Sequence, residues 1–307
     1  MRLVLPLEIK NRELEGAISI TYEALKKNWK VYIGQKQQFW PLIDNFKPSY
    51  WFLKSLLPGE INLLRKIKKK HVVGSLDIEG LVLTPSKKGY EILQRYSVET
   101  CKLSDLVFFF GKDHLKMFKK FVKTDKRKLV LCGSPNFDFY KNLKKKKIKF
   151  EYMIISSFGK AIESSNLNLR LENALQKQAT GITDKNFYIQ KKKYDDMLKD
   201  YSKKYYDIAV YLAKKNKSKK ILFRPHPYED NKIWTKKFKN IKNIIISRDS
   251  ALVDDILLSK KIIHFNSTTA FLSNFLKKPT FMYREINCKY TDIMTPNVIK
   301  ISNIIRS

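Results

Sequence analysis

Residues 221–230 have the sequence ILFRPHPYED, in which a short apolar run ends in arginine, a histidine between two prolines, and acidic residues. The run has the length and composition of a buried strand, and the amphipathic stretch after it, which contains Trp234, has the pattern of a helix. A strand that leads into a helix indicates a parallel α/β sheet, where ligands bind at the carboxyl ends of the strands. The sequence therefore predicts that Arg224 and His226 lie at a ligand-binding edge.

A second transition of this kind follows the apolar run 262–265, which leads into Asn-Ser-Thr-Thr-Ala at residues 266–270. The hydroxyl groups of Ser267 and Thr268 lie where a helix is predicted to begin, and the free N–H groups of a helix start attract phosphate. We expect this strand end and the one that carries His226 to lie side by side. Together they predict a nucleotide phosphate site in the second half of the chain.

The same alternation of apolar runs and amphipathic stretches extends through the 307 residues. Buried parallel strands are predicted at residues 2–7, 31–34, 50–53, 71–74, 106–110, 129–132, 152–156, 221–224, 244–247, 262–265 and 280–283. Amphipathic helices are predicted between them, for example at 12–27 and within 184–215. The chain is longer than one typical core of about 100 to 200 residues. The predicted fold class is therefore α/β, with two Rossmann-like domains facing across a cleft.

The predicted domain boundary lies in the most charged block of the chain, KNLKKKKIKF at residues 141–150. This block is predicted to be an exposed linker or a cationic face. We expect residues 1–145 to form the acceptor-side domain with the catalytic carboxylates, and residues 146–307 to form the nucleotide-binding domain.

The net charge of +33 suggests two anionic partners, nucleic acid and a membrane surface. Only ten of the 62 basic residues are arginines, and arginine is the residue that nucleic-acid readout favours. We therefore expect no nucleic-acid partner, and retain a solvated lysine surface or peripheral contact with an anionic membrane. No apolar run is long enough to span a bilayer and no signal peptide is evident, so we expect a soluble cytoplasmic protein. Peripheral attachment to the inner face of the cytoplasmic membrane is the further option that the charge leaves open. No set of histidines, cysteines and carboxylates has the spacing of metal ligands, so we predict no structural metal, and we expect no cofactor besides the donor substrate.

Three further motifs follow predicted strands in the first half. Glu8 and Arg12, after the first strand, are candidates for binding a polyol or carboxylate, although Glu13 and Glu15 nearby are equally typical of a helix N-terminus.

The second motif is DIEG at residues 77–80. In this loop either Asp77 or Glu79 is a candidate general acid or base, and the other carboxylate would cap the loop. A turn without catalytic chemistry is the alternative.

The third motif is GSPNFD at residues 133–138. Its glycine and proline permit a tight turn that displays Asp138 as a candidate nucleophile. The alternative is that Asn136 or Asp138 caps the next helix.

Among the four histidines, His226 is the one between two prolines, which makes a purely structural core role improbable. His71 and His264 lie in apolar runs and are predicted to be interior residues. His114 is predicted to be a surface residue at a helix start.

The order of these motifs, from P-x-E-x-x-x-R-E through D-x-E-G and G-x-P-x-x-D to RPHP, resembles a family of bacterial surface-carbohydrate biosynthesis proteins. It is similar to that of the retaining β-Kdo glycosyltransferases, which have a GT-B-like fold and use CMP-Kdo. The resemblance runs through nearly the whole chain. Two positions differ from the family pattern: Asn136 stands where an arginine is usual, and residues 156–159 read SSFG with no histidine nearby.

The resemblance implies a role for each motif. It makes Asp138 the nucleophile that forms a covalent glycosyl adduct, and Glu79 the acid/base residue. An adduct at an oxocarbenium-like carbon would give two displacements and net retention. The nucleotide-binding candidates are Arg224, His226, Ser267 and Thr268, which would contact the CMP phosphate, and the candidates for binding the acceptor or the sugar are Glu8, Arg12, Asp77 and Asn136.

Two other functions remain open from the sequence. CDP-glycerol glycerophosphotransferases of wall-polymer synthesis also carry an RPHP-type element and a hydroxyl-rich helix start, and for them Asp138 would have no nucleophilic role. A basic nucleic-acid-binding protein is the non-enzyme alternative. The partners expected for the transferase are a nucleotide-sugar donor and a glycan or glycolipid acceptor.

Overall fold

The computed structural model describes residues 1–77, 89–141, 143–159, 185–227, 229–247, 250–290 and 294–306. These residues form two compact units. Unit 1 contains residues 1–141, and unit 2 contains the described residues from 143 onward.

Unit 1 is built on a six-stranded parallel sheet with the strand order β2-β1-β3-β4-β5-β6. Its strands are β1 (Arg2–Leu7), β2 (Lys30–Gln35), β3 (Tyr50–Leu53), β4 (Val72–Leu76), β5 (Leu106–Phe109) and β6 (Leu129–Leu131). Its α-helices are α1 (Lys10–Lys26), α2 (Lys36–Phe39), α3 (Ile61–Lys68), α4 (Tyr90–Leu93), α5 (Val98–Leu103), α6 (Lys112–Phe121) and α7 (Pro135–Tyr140). Short 3₁₀ helices occupy Trp40–Asn45, Pro58–Glu60 and Lys126–Lys128.

Unit 2 contains a second six-stranded parallel sheet, with the order β12-β11-β10-β7-β8-β9. Its strands are β7 (Phe150–Ile155), β8 (Ile221–Arg224), β9 (Ile244–Ile246), β10 (Ser259–His264), β11 (Thr280–Tyr283) and β12 (Asn303–Ile305). Its helices are α8 (Lys185–Lys215), α9 (Asn231–Lys237), α10 (Leu252–Leu258), α11 (Thr269–Phe275) and α12 (Pro296–Lys300). Each predicted strand has a counterpart, and the α/β class with two Rossmann-like sheets is confirmed.

Each sheet has a point at which the chain reverses the direction in which it adds strands. In unit 1 this switch point lies between β1 and β3, and in unit 2 it lies between β7 and β10. The loops after these strands diverge to opposite faces of the sheet, which opens a crevice at the carboxyl edge. The two switch points are therefore the expected ligand-binding positions within each unit.

The predicted adjacency of two strand ends in unit 2 is wrong. Strand β7 pairs with β8 on one side and β10 on the other, so it separates the end of β8 from the end of β10. Neighbouring strands lie about 4.8 Å apart, which puts the two ends roughly 10 Å from each other. The sequence shows which runs are strands but not their order across the sheet.

The interior histidines were predicted in part. His71 and His264 are buried, as expected, and burial lowers the pKa of His264 to about 3. His114, predicted to lie on the surface, is also buried, with its ring centroid 5.1 Å from that of Phe109 and 6.0 Å from that of Tyr96. Desolvation lowers its pKa to about 4. His114 faces the core because it lies four residues before the buried Phe118 and thus on the same face of α6.

Candidate functional site

Charged side chains gather at the carboxyl edge of the unit 1 sheet, beside the switch point between β1 and β3. Lys54, which follows β3, places its Nζ 2.7 Å from Glu8 Oε2 and 3.9 Å from Glu13 Oε1. Lys36, which follows β2, lies 3.8 Å from the same Glu8 oxygen and also pairs with Glu60. We call these five residues the β1–β3 charge group.

The members of this group differ in their access to solvent. The side chains of Lys36 and Lys54 are only 14% and 16% exposed, whereas that of Glu8 is 37% exposed. A ligand hydroxyl could therefore reach the Glu8 carboxylate while the two lysines hold it in place. This geometry suits the predicted role of Glu8 in binding an acceptor or sugar.

Glu13 has a structural role at the start of α1. Its carboxylate accepts hydrogen bonds from the backbone N–H groups of Glu8 and Ile9, at 2.8 Å each. Negative charge at a helix N-terminus is favourable, so the helix-start alternative is confirmed for Glu13. Glu15 instead accepts a hydrogen bond from the Tyr140 hydroxyl at 2.7 Å.

The α1–α7 contact unites two of the sequence motifs. Although α7 follows the edge strand β6, it returns to pack on α1, where Asn136 Nδ2 donates to the Arg12 carbonyl oxygen at 3.0 Å. A pocket lies beside this contact, and its polar lining comes from Glu13, Lys54 and Asn136. Asn136 and Arg12, both predicted acceptor-binding residues, thus also join the two helices.

Gly16 is required by this close packing. A Cβ atom at this position would lie 2.1 Å from Asn136 Oδ1. We expect Gly16→Ala to lower the free energy of unfolding by about 1 to 3 kcal/mol, measured by urea denaturation, because the added methyl group overpacks the contact. In an Asn136→Ala background the clash is absent, and the same substitution should stabilise α1 by up to about 1 kcal/mol. Equal losses in both backgrounds would contradict this explanation.

Asp138, the predicted nucleophile, lies in the first turn of α7. Its carboxylate is 57% exposed and pairs with Lys141 Nζ at 2.5 Å. The N-cap of the helix is Ser134, so the alternative that Asn136 or Asp138 is the N-cap residue is wrong. Asp138 is therefore a solvent-accessible carboxylate with no capping function, and its catalytic role stays a prediction.

Asp77, at the end of β4, is almost fully buried. Both of its carboxylate oxygens accept hydrogen bonds from Arg95 Nη1 at 2.9 Å, and only 2% of its side chain is exposed. This ion pair holds Asp77, the first residue of the DIEG motif, directly after the end of β4. Glu79, the predicted acid/base residue, lies outside the described residues.

In unit 2, Arg224 at the end of β8 anchors the neighbouring elements. Its Nη1 donates to Ser247 Oγ and to the Ser250 carbonyl oxygen, at 3.0 Å each, and pairs with Asp255 of α10. Asp255 is 4% exposed and also accepts hydrogen bonds from the Ser247 and Ser250 hydroxyls, at 2.6 and 2.7 Å. One end of the guanidinium group thus belongs to a buried network, and its predicted contact with a phosphate stays a prediction.

A buried carboxylate braces the loop that carries His226. Glu229 accepts hydrogen bonds from the backbone N–H groups of Phe158 and Gly159, at 2.9 and 3.0 Å, and from Trp234 Nε1 at 2.7 Å. The Ser156 hydroxyl donates to it as well, at 2.6 Å to Oε1. Desolvation raises the pKa of the Glu229 carboxyl, and these four donors oppose that shift. Glu229 therefore ties the loop after β8 to the loop after β7, at one side of the switch point.

The turn after β10 forms the other side. Asn266 adopts a left-handed backbone conformation (φ 40°), and its Oδ1 accepts a hydrogen bond from the Thr295 N–H at 2.9 Å. Ser267 Oγ accepts a hydrogen bond from the Thr269 N–H at 3.3 Å, and α11 begins at Thr269. The predicted helix start is confirmed, and Ser267 and Thr268 lie at the carboxyl edge of the sheet. His226, on the far side of β7, is partly exposed.

Several residues that organise these edges were not singled out from the sequence. Lys54 follows β3 without a motif, and Asp255 lies in an apolar helix that gives no sign of its partner. The sequence did contain an indication of the role of Glu229, because this acidic residue ends the RPHPYE stretch and lies five positions before Trp234, from whose indole N–H it accepts a hydrogen bond. Such partners become visible only when the strand order brings distant loops together.

The chain is similar in structure to proteins of known architecture. It resembles the wall teichoic acid polymerase TagF with a TM-score of 0.53 and 13% identity, over 95% of this chain and 72% of that one. It also resembles a UDP-N-acetylglucosamine 2-epimerase from Rickettsia bellii (TM-score 0.48, 12% identity, 98% and 86% of the two chains). The E. coli heptosyltransferase WaaC with ADP is a third (TM-score 0.42, 8% identity, 100% and 93%).

At 13% identity, the likeness to TagF establishes the fold alone. The two parallel six-stranded sheets with their helices belong to the GT-B-like class, as predicted. No family model matches the sequence, and no curated protein matches it either.

Proposed function

We propose that this protein is a transferase of cell-surface glycan synthesis that takes its donor as a nucleotide-activated sugar. The observation that carries the proposal is the carboxyl edge of the unit 2 sheet. There the His226 loop, braced by the buried Glu229, lies on one side of β7, and the hydroxyl-rich start of α11 lies on the other. Open α/β sheets bind nucleotides at this type of switch point.

The donor is best described as a CMP-activated keto sugar acid, such as CMP-Kdo. The order of the sequence motifs supports this donor class. In unit 2, Arg224, His226, Ser267 and Thr268 would contact the phosphate that leaves with the nucleotide. Positive charge and hydrogen-bond donors stabilise such a leaving group as it departs.

Unit 1 would supply the groups that act on the sugar and its acceptor. Asp138 is an accessible carboxylate and would serve as the nucleophile, with Glu79 as acid/base. The partly exposed Glu8 can accept hydrogen bonds from the hydroxyl groups of a glycan, and it is oriented by Lys54 at 2.7 Å. Two displacements at the sugar carbon would give net retention of configuration.

A second candidate is a CDP-glycerol-type glycerophosphotransferase. It is supported by the likeness to a wall teichoic acid polymerase and by the RPHP element. The chemistry would then take place at phosphorus, with His226 assisting and Asp138 without a role as nucleophile.

Donor turnover separates these two candidates. We expect the purified chain to release CMP from CMP-Kdo or a related CMP-nonulosonate in the presence of a glycan acceptor, with CDP-glycerol turned over at least about a hundredfold more slowly, because the two reactions need different groups at the reacting atom. The measurement is CMP release, followed chromatographically for each donor. Release from CDP-glycerol alone would establish the second candidate, and release from neither donor would contradict both.

A pair of histidine variants tests whether turnover depends on the proposed nucleotide site. His226→Ala removes an imidazole from the carboxyl edge of the unit 2 sheet, whereas His71→Ala removes a buried imidazole of unit 1. We expect His226→Ala to raise the KM for the donor and to keep the circular dichroism spectrum of the wild-type protein. We expect the folded fraction of His71→Ala to have an unchanged KM.

A further inference from the structure

The opposite edge of the unit 2 sheet carries a dense array of lysines. All six strands run parallel, so the segments that lead into them lie at one edge. Exposed lysines occur in the lead-ins or first residues of five neighbouring strands: Lys144, Lys145, Lys146, Lys147, Lys149, Lys217, Lys219, Lys220, Lys239, Lys242, Lys260 and Lys277. We call these residues the amino-edge lysine surface.

Hydrogen bonds between the lead-in segments make this surface continuous. The Lys149 N–H donates to the Leu258 carbonyl oxygen at 2.8 Å, which joins the lead-in of β7 to that of β10. The Glu151 N–H donates to the Lys220 carbonyl oxygen at 2.9 Å, which joins β7 to the lead-in of β8. With neighbouring strands about 4.8 Å apart, the five lead-ins extend over roughly 20 Å.

Little negative charge offsets these lysines. The lead-in segments 143–149, 216–220, 239–243 and 277–279 contain no aspartate or glutamate. In the described part of the chain, Lys146 pairs with Asp254 at 2.6 Å and Lys260 with Glu151 at 3.1 Å. Neighbouring lead-ins are about 4.8 Å apart, which is shorter than the Debye length of about 10 Å at 0.1 M salt, so the potentials of their lysines add.

Helix dipoles explain only some of these lysines. Positive charge is favoured near the C-terminus of a helix, and Lys217, Lys239 and Lys277 each lie two residues past the ends of α8, α9 and α11. Residues 144–149, however, lie beyond the last turn of α7, which ends at Tyr140. Residues 143–149 form neither helix nor strand and are all exposed, including Leu143 and Ile148, which are 37% and 45% exposed.

We infer that the amino-edge lysine surface binds the anionic headgroups of a phospholipid bilayer. Its charge is complementary to such a membrane, and lysines with long apolar stems beside exposed leucine and isoleucine suit the headgroup region. The lead-in segments contain no arginine, the residue that nucleic-acid readout favours. Because the surface lies at the edge opposite His226 and Ser267, membrane contact leaves the carboxyl edge of this sheet open.

Vesicle binding tests this inference. We expect the full chain to cosediment with phosphatidylcholine vesicles that contain about 30 mol% phosphatidylglycerol, but not with phosphatidylcholine alone, at about 0.1 M salt. Lys144, Lys145 and Lys147 form no ion pair with the described residues, and reversing their charges in Lys144→Glu/Lys145→Glu/Lys147→Glu should weaken vesicle binding at least about a hundredfold. The matched control, Lys112→Glu/Lys116→Glu/Lys119→Glu on α6 of unit 1, changes the net charge equally and should weaken it less than about threefold.

The outcomes are distinct. Equal losses in the two triple variants would overturn the inference, because binding would then follow net charge rather than this surface. Absence of binding to the anionic vesicles, or tighter binding of the wild-type chain to duplex DNA than to the vesicles, would overturn it as well. CMP release from soluble substrates does not involve this surface and should be unchanged in both triple variants. The vesicle assay therefore tests membrane binding, and the CMP-release assay tests the proposed donor chemistry independently of it.

Discussion

Replacement of Asp138 by asparagine is expected to reduce CMP release from the keto sugar acid donor by about three orders of magnitude or more. The substitution keeps the size of the side chain and removes the carboxylate that would attack the sugar carbon. We expect no folding defect, because Asp138 is 57% exposed and Ser134, not Asp138, is the N-cap of α7. The loss of its pair with Lys141 on the surface should change the free energy of unfolding by less than about 0.5 kcal/mol.

The control for this variant is Asp113→Asn. Asp113 is likewise an exposed acidic residue in the first turn of a unit 1 helix, so the two substitutions have matched effects on charge and on the helix dipole. It should retain turnover within about twofold.

Mass spectrometry of the intact chain adds a readout that a merely structural role would not affect. A protein with a nucleophilic Asp138 should gain the mass of one sugar acid residue when donor is supplied without acceptor, and Asp138→Asn should not. Full turnover by Asp138→Asn would exclude the nucleophile while leaving the broader transferase proposal in place.

The strands and the fold class could be predicted because local composition determines them. Strand β1 has four buried residues in a row, and the strand that ends at Arg224 begins with three. Both are short apolar runs closed by polar residues, which is the pattern of a strand covered on both faces. Strand β12 was not predicted, because Asn303–Ile305 begins with asparagine and contains only two apolar residues in a row, whereas the equally short β9 is entirely apolar.

The site could be predicted only at the level of which loops matter. The motifs after β1, β8 and β10 do lie at carboxyl edges, because every parallel strand directs its following loop to the same side. Their spatial partners depend on strand order, which is a property of the whole sheet. For this reason the sequence indicated Arg224 but not Asp255, and Glu8 but not the Lys54 that lies 2.7 Å from it.

Among the substitutions proposed for unit 2, Glu229→Ala should lower the free energy of unfolding the most. Its carboxylate accepts hydrogen bonds from the Phe158 and Gly159 N–H groups, the Ser156 hydroxyl and Trp234 Nε1, and the side chain is buried. Alanine would leave these donors without an acceptor inside the protein. We expect a loss of about 3 to 5 kcal/mol in the free energy of unfolding, measured by urea denaturation followed by circular dichroism.

Two further variants separate the hydrogen bonds of Glu229 from its volume. Glu229→Gln fills the same space but offers one acceptor oxygen, so its amide N–H would face the Trp234 N–H, and about 1 to 3 kcal/mol should be lost. Glu23→Ala is the control, because Glu23 is an exposed residue whose contact with Lys26 lies on the surface, and it should cost less than about 0.5 kcal/mol. A Glu229→Ala protein as stable as the control would show that the loops after β7 and β8 do not depend on this carboxylate. A large loss with alanine and a smaller one with glutamine would instead show that the loop bearing His226 is held in place by one buried acceptor rather than by its two prolines alone.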